Sequence, residues 1–159
     1  MIVLGIHTAL RISDLLRLTW DDVYDASSES FRTHIITTEG KTGKSKAIAL
    51  HTNAVTALEI CLPHRRGVFI FANNRRHTAP ISRVQAYRII KTAAKAVQTA
   101  MPVSCHSLRK TLGYHAWQAG TAVAVIMDIY NHSSYHITRR YLGITQDDCD
   151  KVYLTMAFV

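Results

Sequence analysis

The sequence predicts an α+β fold that is mainly helical and carries one small antiparallel sheet. Capped stretches with apolar residues at helical spacing recur along the second half of the chain. Two runs rich in β-branched residues, 31–38 and 45–50, flank a turn that holds two glycines. No repeat, low-complexity tract or Pro/Gly-rich linker interrupts the 159 residues, so one domain over 1–159 is expected.

The elements follow in order. Residues 13–18 read as a short helix, with Leu15, Leu16 and Leu18 apolar and Asp14 in the first turn, where a carboxylate meets the positive end of the helix dipole. Ser27-Ser28-Glu29-Ser30 is a turn. The two strands come next, and Glu39-Gly40-Lys41-Thr42-Gly43-Lys44 between them reads as a hairpin tip. Asn53 is expected to cap a helix reaching Cys61, and residues 68–71 are a short apolar segment. Ser82 with Gln85 makes a capping box for a helix reaching Gln98. After Pro102 a helix covers 107–118 and stops at Gly120, another covers 121–130, and 135–142 form a short helical turn.

Nineteen Lys and Arg against eleven Asp and Glu leave a formal net charge of +8. Such a balance favours a polyanionic partner, nucleic acid first and an anionic membrane second. The membrane reading lacks an anchor: no apolar run approaches the roughly 20 residues of a spanning helix. Met1-Ile2-Val3-Leu4-Gly5-Ile6 is apolar but too short for a secretory leader and has no basic start. Three cysteines at wide spacings (Cys61, Cys105, Cys149) argue against a disulfide framework and for a reducing cytoplasm. Cys105 beside His106 raises a thiol nucleophile, against the plainer reading of a small buried residue. His132 and His136 stand four apart, but no third ligand follows at a clear spacing, so no metal is expected.

Six residues suit a different chemistry: Arg11, Lys41, His106, Arg109, His132 and Tyr141. Guanidinium forks hold two phosphate oxygens at once and never lose their charge. A phenol can attack phosphorus and hold it covalently, given a base or cationic field to lower a pKa near ~10. His106 and Arg109, three apart on one helix, project from one face toward one spot. Taken alone, each residue has a plainer reading. Arg11 could pair with Asp14 or Asp22, His106 could be a capping or core histidine, and His132 could sit at a helix C-terminus. Lys41, Lys44 and Lys46 could be backbone-phosphate contacts on one hairpin.

Three strings resolve this. Ala9-Leu10-Arg11-Ile12-Ser13-Asp14-Leu15-Leu16 resembles the first-arginine box of the tyrosine recombinases, the phage integrase family. His106-Ser107-Leu108-Arg109 resembles that family's H-x-x-R box, and the stretch from Asn131-His132-Ser133-Ser134 to Thr138-Arg139-Arg140-Tyr141 its histidine-to-nucleophile segment. The resemblance spans residues 2–144 with all boxes in order. It implies the family's catalytic-domain fold and a metal-free transesterification on double-stranded DNA. Tyr141 would form a 3′-phosphotyrosyl link, Arg11, Arg109 and His132 would hold the phosphate, and His106 would donate to it or exchange a proton with the phenol. Lys41 would protonate the leaving 5′-oxygen, and Asp14 would support the site by orienting an arginine or histidine. No cofactor is implied.

The resemblance also implies self-association as a tetramer on DNA and a cytoplasmic, bacterial or mobile-element origin. Lys44, Lys46, Arg75, Arg76, Arg83, Lys110, Arg139 and Arg140 are expected to contact DNA, with solvated faces as the alternative. Two departures stand out: Ala9 replaces the usual glycine of the first box, and Tyr130-Asn131 replaces Leu-Gly before His132. Only ten residues precede Arg11, so the chain is expected to be a fragment without the family's N-terminal core-binding domain. Residues 145–159, with apolar Val152, Leu154, Met156 and Phe158, are expected to pack either on a neighbouring subunit or back on their own domain. A type IB topoisomerase and a non-catalytic DNA-binding remnant are the rival readings.

Overall fold

The computed structural model describes residues 1–41 and 43–156; Thr42 and the predicted tail residue Phe158 lie outside this set. The chain divides into two compact units, 1–112 and 113–159, and the division falls within one helix.

In the first unit the apolar start of the chain forms α1 (Ile2–Thr8), which ends on Ala9 in the left-handed conformation at φ 50°. Helix α2 (Ile12–Arg17) follows directly, with Arg11 as its N-cap residue. Leu4, Leu10, Leu15, Leu18 and Trp20 drive one core together with Ile35 and Ile48, because burying their side chains removes apolar surface from water. The predicted sheet separates into two ribbons. A short one pairs β1 (Tyr24–Asp25) with β2 (Ser30–Phe31), and the predicted turn at 27–30 closes it, with Glu29 at φ 48°. The longer one pairs β3 (His34–Thr38) with β4 (Ser45–Ala49) in antiparallel register, Ile35 opposite Ile48 and Thr37 opposite Lys46. The expected single strand over 31–38 therefore breaks at Arg32 and Thr33, where the backbone passes from one ribbon to the next.

Helix α3 (Thr52–Cys61) packs on α1. Its cap is His51 rather than the expected Asn53, because the His51 ring nitrogen Nδ1 accepts from the Asn53 N–H at 3.1 Å. The apolar segment 68–71 is held by its backbone: Trp20 N–H donates to the Val68 carbonyl and Ile70 N–H to the Leu18 carbonyl, each at 3.0 Å. Ser82 caps α4 (Arg83–Ala96), as its spacing predicts, and α4 packs on α2. Helix α5 (Cys105–Gln118) starts two residues before its expected position, so it includes both His106 and Arg109.

In the second unit α6 (Val123–Tyr130) packs on α7 (Tyr135–Leu142). Asn131 at φ 50° ends α6 and Gly143 at φ 71° ends α7, both in the left-handed region that closes a helix by satisfying its last carbonyls. The tail forms α8 (Gln146–Thr155), opened by a reciprocal capping box between Thr145 and Asp148. Tyr130 is fully buried, and its hydroxyl accepts from the Gly113 N–H at 2.9 Å.

That hydrogen bond requires glycine at 113. A Cβ there would press into the Tyr130 ring, with Cε2 and Cζ both at 2.7 Å. Gly113→Ala should therefore destabilise the protein by about 1–3 kcal/mol through overpacking, measured as a lower urea midpoint. An unchanged midpoint would mean that the ring relocates freely.

Candidate phosphodiester-transfer site

In the first unit Arg11 and Arg109 meet on an acid that the sequence did not single out. Glu39 follows β3 and is fully buried. Its Oε2 pairs with Arg11 Nη1 at 2.5 Å, and its Oε1 lies 3.8 Å from Arg109 Nη1. Arg109, only 2% exposed, also donates to the carbonyl of Ala9. The left-handed residue that ends α1 thus supplies an acceptor for an arginine of α5. Strand periodicity explains Glu39's direction. Ile35, Thr37 and Glu39 alternate with the exposed His34, Ile36 and Thr38, so every second side chain turns inward.

Lys46 belongs to the same group. It shares the inward face of β4 with Ile48 and is half-buried, whereas its neighbours Ser45 and Ala47 are exposed. Burial and the nearby positive charge of Arg109 and Arg11 push its ammonium from the ordinary 10.5 down to about 8, with Glu39 opposing the shift. A partly desolvated ammonium among two guanidinium groups loses hydration and meets like charge, and both effects favour the neutral amine. Expected among the DNA contacts, Lys46 therefore differs from the exposed Lys44 on the same hairpin.

Lys41 stands in the turn between β3 and β4 and is exposed. Asp14 is buried and takes two partners, Arg17 Nη2 at 2.7 Å and the Gly40 N–H at 3.2 Å. It thereby orients an arginine, though Arg17 rather than Arg11, and fixes the entry to the hairpin turn. Arg11 pairs with Glu39 rather than with Asp14 or Asp22, the alternatives left open for it; Asp22 instead accepts from the Thr19 backbone and hydroxyl. His106, in the first turn of α5, is exposed.

The second unit brings His132 and Tyr141 together. Their rings meet edge to face with centroids 5.0 Å apart, and His132 also stacks on buried Tyr130 at 5.0 Å. The Thr138 hydroxyl, fully buried, lies 2.9 Å from His132 Nδ1. Thr138 sits one turn of α7 before Leu142, on the helix face that α7 buries, so the helix that carries Tyr141 also fixes the imidazole. Among the other tyrosines, Tyr135 is half-exposed and Tyr153 is 83% exposed. Arg75, Arg76, Arg83, Lys110 and Arg140 are exposed, while Arg139 is half-buried and donates to the Ile144 carbonyl at 3.4 Å.

Motif spacing thus gave Glu39 and Thr138 no role and placed Lys46 only among the DNA contacts; Glu39, Lys46 and Thr138 are the positions whose surroundings the structure adds. For the first two a signal existed. Extending the inward alternation of β3 by one step places an acid at a core-facing position, and core-facing acids are rare unless paired. Among the described residues no cluster of three metal-ligating side chains occurs, and no helix is long and apolar enough to cross a membrane.

The profile of the phage integrase family matches residues 1–147: the chain belongs to that family. Among its relatives is the probable integrase/recombinase YoeC of Bacillus subtilis, 38% identical over 154 residues, a match covering 96% of this chain and 81% of that protein. The tyrosine recombinase XerD of Listeria innocua is 27% identical over 155 residues, covering 92% of this chain. The chain spans about half the length of the XerD relatives it matches. In fold it resembles the crystal structure of XerA recombinase, with a TM-score of 0.79 at 22% identity over 98% of this chain and 57% of that one. It also resembles a lambda integrase dimer bound to a core site, with a TM-score of 0.68 at 24% identity over 89% of this chain and 50% of that one.

Lys46 gives the first unit a pH signature. Because folding disfavours the charged ammonium, the unfolded chain holds more protons between about pH 8 and the ordinary 10.5. Stability should therefore rise with pH across that window, as linkage requires. Lys46→Met should flatten this rise relative to the parent protein in urea melts. Parallel curves for the two proteins would show that Lys46 titrates as an ordinary surface lysine.

Proposed function

We propose that this chain is the catalytic portion of a site-specific DNA recombinase that cuts and rejoins double-stranded DNA through a phosphotyrosyl intermediate. The observation that supports it most is the pairing of His132 with Tyr141 beneath a fixed Thr138 hydroxyl. With Thr138 donating to Nδ1, the imidazole keeps its proton on Nε2 and can donate it to a nonbridging phosphate oxygen. Tyr141 Oη attacks phosphorus, the bond to the 5′-oxygen breaks, and the phenolic proton leaves to a basic group or water. Arg11 and Arg109 spread the negative charge of the transition state, the largest contribution in phosphoryl transfer of this kind. Reversal by the 5′-hydroxyl of a partner strand conserves the phosphodiester energy, so no nucleotide cofactor is consumed. DNA as the partner is supported by the +8 charge and by family membership, and a tetramer on DNA by the reaction's need for four strand ends.

The departing 5′-oxygen needs a proton, and two lysines compete to supply it. Family spacing favours Lys41 at the exposed hairpin turn. Burial among the arginines favours Lys46, whose pKa of about 8 lies near working pH, where general acids are most effective. Substrate with a 5′-bridging sulfur leaves without that proton. Lys41→Ala should lose cleavage of ordinary DNA by roughly 10²–10⁴-fold and regain it on the sulfur substrate. Selective rescue of Lys46→Ala instead would move the acid to Lys46.

The test of the whole reading is covalent capture on a nicked duplex library of randomised core sequence, with adducts separated under denaturing conditions. The parent chain should yield a tyrosine-linked adduct, and Tyr141→Phe none, with noncovalent binding unchanged because no charge is lost. An adduct in Tyr141→Phe would transfer the role to another tyrosine. Binding without any adduct from the parent would favour a DNA-binding remnant, and relaxation of supercoiled plasmid without strand exchange a type IB topoisomerase.

A further inference from the structure

The structure assigns Glu39 a role in the reaction: we infer that its buried carboxylate is the positioning residue that holds Arg11 and Arg109 as one phosphate-gripping pair. The inference rests on the recombinase reading above and names a residue that neither the sequence boxes nor the family comparison supplies.

Three cations lie together in the first unit, Arg11, Arg109 and Lys46, around one fully buried anion. A guanidinium that is 2% exposed, as in Arg109, has given up most of its water, and only an adjacent negative charge compensates that loss. Glu39 provides it through both oxygens at once, Oε2 toward Arg11 and Oε1 toward Arg109. One carboxylate thus hydrogen-bonds Arg11, before α2, and stands at ion-pair distance, 3.8 Å, from Arg109 within α5. Three positive charges against one negative leave the group at +2, so it still attracts a phosphate. The Ala9 carbonyl fixes one further Arg109 donor, which limits rotation of that guanidinium. Arrangement of this kind lowers the reorganisation that transition-state binding would otherwise require.

Glu39 also ties the catalytic hairpin to the arginines. It lies between the inward face of β3 and Gly40, whose N–H is held by Asp14. Movement of the turn that carries Lys41 is thereby coupled to the orientation of Arg11.

Glu39→Gln keeps the shape and one acceptor but removes the charge; Glu39→Asp keeps the charge and shortens the reach. On a library-selected nicked duplex, Glu39→Gln should form the covalent adduct at least about tenfold more slowly, with noncovalent affinity equal to or above the parent's because net charge rises by one. Glu39→Asp should recover part of the rate. A purely structural acid would instead weaken binding and cleavage alike, and that pattern overturns the proposal. Adduct formation by Glu39→Gln at or above the parental rate also overturns it, and would mark Glu39 as a competitor of the phosphate.

A second readout needs no cleavage. The side-chain Nε–H signals of Arg11 and Arg109 should be dispersed in the parent's nitrogen-resolved NMR spectrum and collapse toward the solvent-exposed arginines in Glu39→Gln. If the parent forms no adduct, the recombinase reading falls while these signals still decide whether Glu39 orients the pair; unchanged signals in Glu39→Gln overturn it.

Discussion

The first unit depends on one fully buried carboxylate, that of Glu39. Without the Glu39 carboxylate, the guanidinium groups of Arg11 and Arg109 and the half-buried Lys46 ammonium would face one another with no compensating charge. Removing one member of such a buried group typically costs about 3–5 kcal/mol, more than most single side chains contribute, so the surrounding backbone is built to keep it. Asp14 secures the turn beside it, the Ala9 carbonyl takes an Arg109 donor, and the register of β3 with β4 sets which side chains turn inward. The hydrophobic core around Leu15, Ile35 and Ile48 fixes that register, since a slip by one residue would turn Glu39 and Lys46 to solvent.

The second unit follows a different logic, in which aromatic contact does the positioning. His132 is held between two phenol rings and one hydroxyl, and each of these is placed by a helix cap. Asn131 in the left-handed conformation ends α6 and turns the chain so that His132 follows Tyr130 onto the same side. Ser134 then opens α7 by accepting from the His136 N–H at 3.2 Å, which sets the phase of the helix bearing Thr138 and Tyr141. Both departures from the family pattern, Ala9 and Asn131, occupy left-handed positions with φ 50°. They explain why glycine is usual there: its missing Cβ lets it enter that region without strain. Asparagine tolerates the conformation well, whereas alanine carries a cost of roughly 1 kcal/mol that its complete burial offsets.

Much of this was legible from residues alone. A capping serine located α4, glycines located the hairpin turn and the stop after α5, and the three family-like boxes singled out Arg11, Arg109, His132 and Tyr141 from nineteen lysines and arginines, nine histidines and seven tyrosines. What motif reading missed was decided by tertiary burial. Asn53 looks like a cap, yet His51 takes that place because its imidazole nitrogen accepts from the Asn53 N–H. Lys41, Lys44 and Lys46 are equivalent as letters, and only the two-residue period of β4 turns the last of them inward. The tail shows the converse. Its apolar residues suggest packing, yet Leu154 is 85% exposed on α8 in the single chain, and the helix is opened by its own capping box.

Tyr130 has a consequence for the fidelity of the proposed chemistry. Its ring centroid lies 5.4 Å from that of Tyr141, so two phenols of equal intrinsic reactivity stand side by side at one imidazole. Only one is free of solvent: Tyr130 is fully buried, and its oxygen already accepts a backbone N–H. An oxygen whose lone pair is engaged and which water cannot reach is a poor nucleophile, whatever its distance from phosphorus. In the proposed chemistry this burial sets Tyr130 aside, so that of the two neighbouring phenols only Tyr141 would take up the DNA strand and release it again on religation.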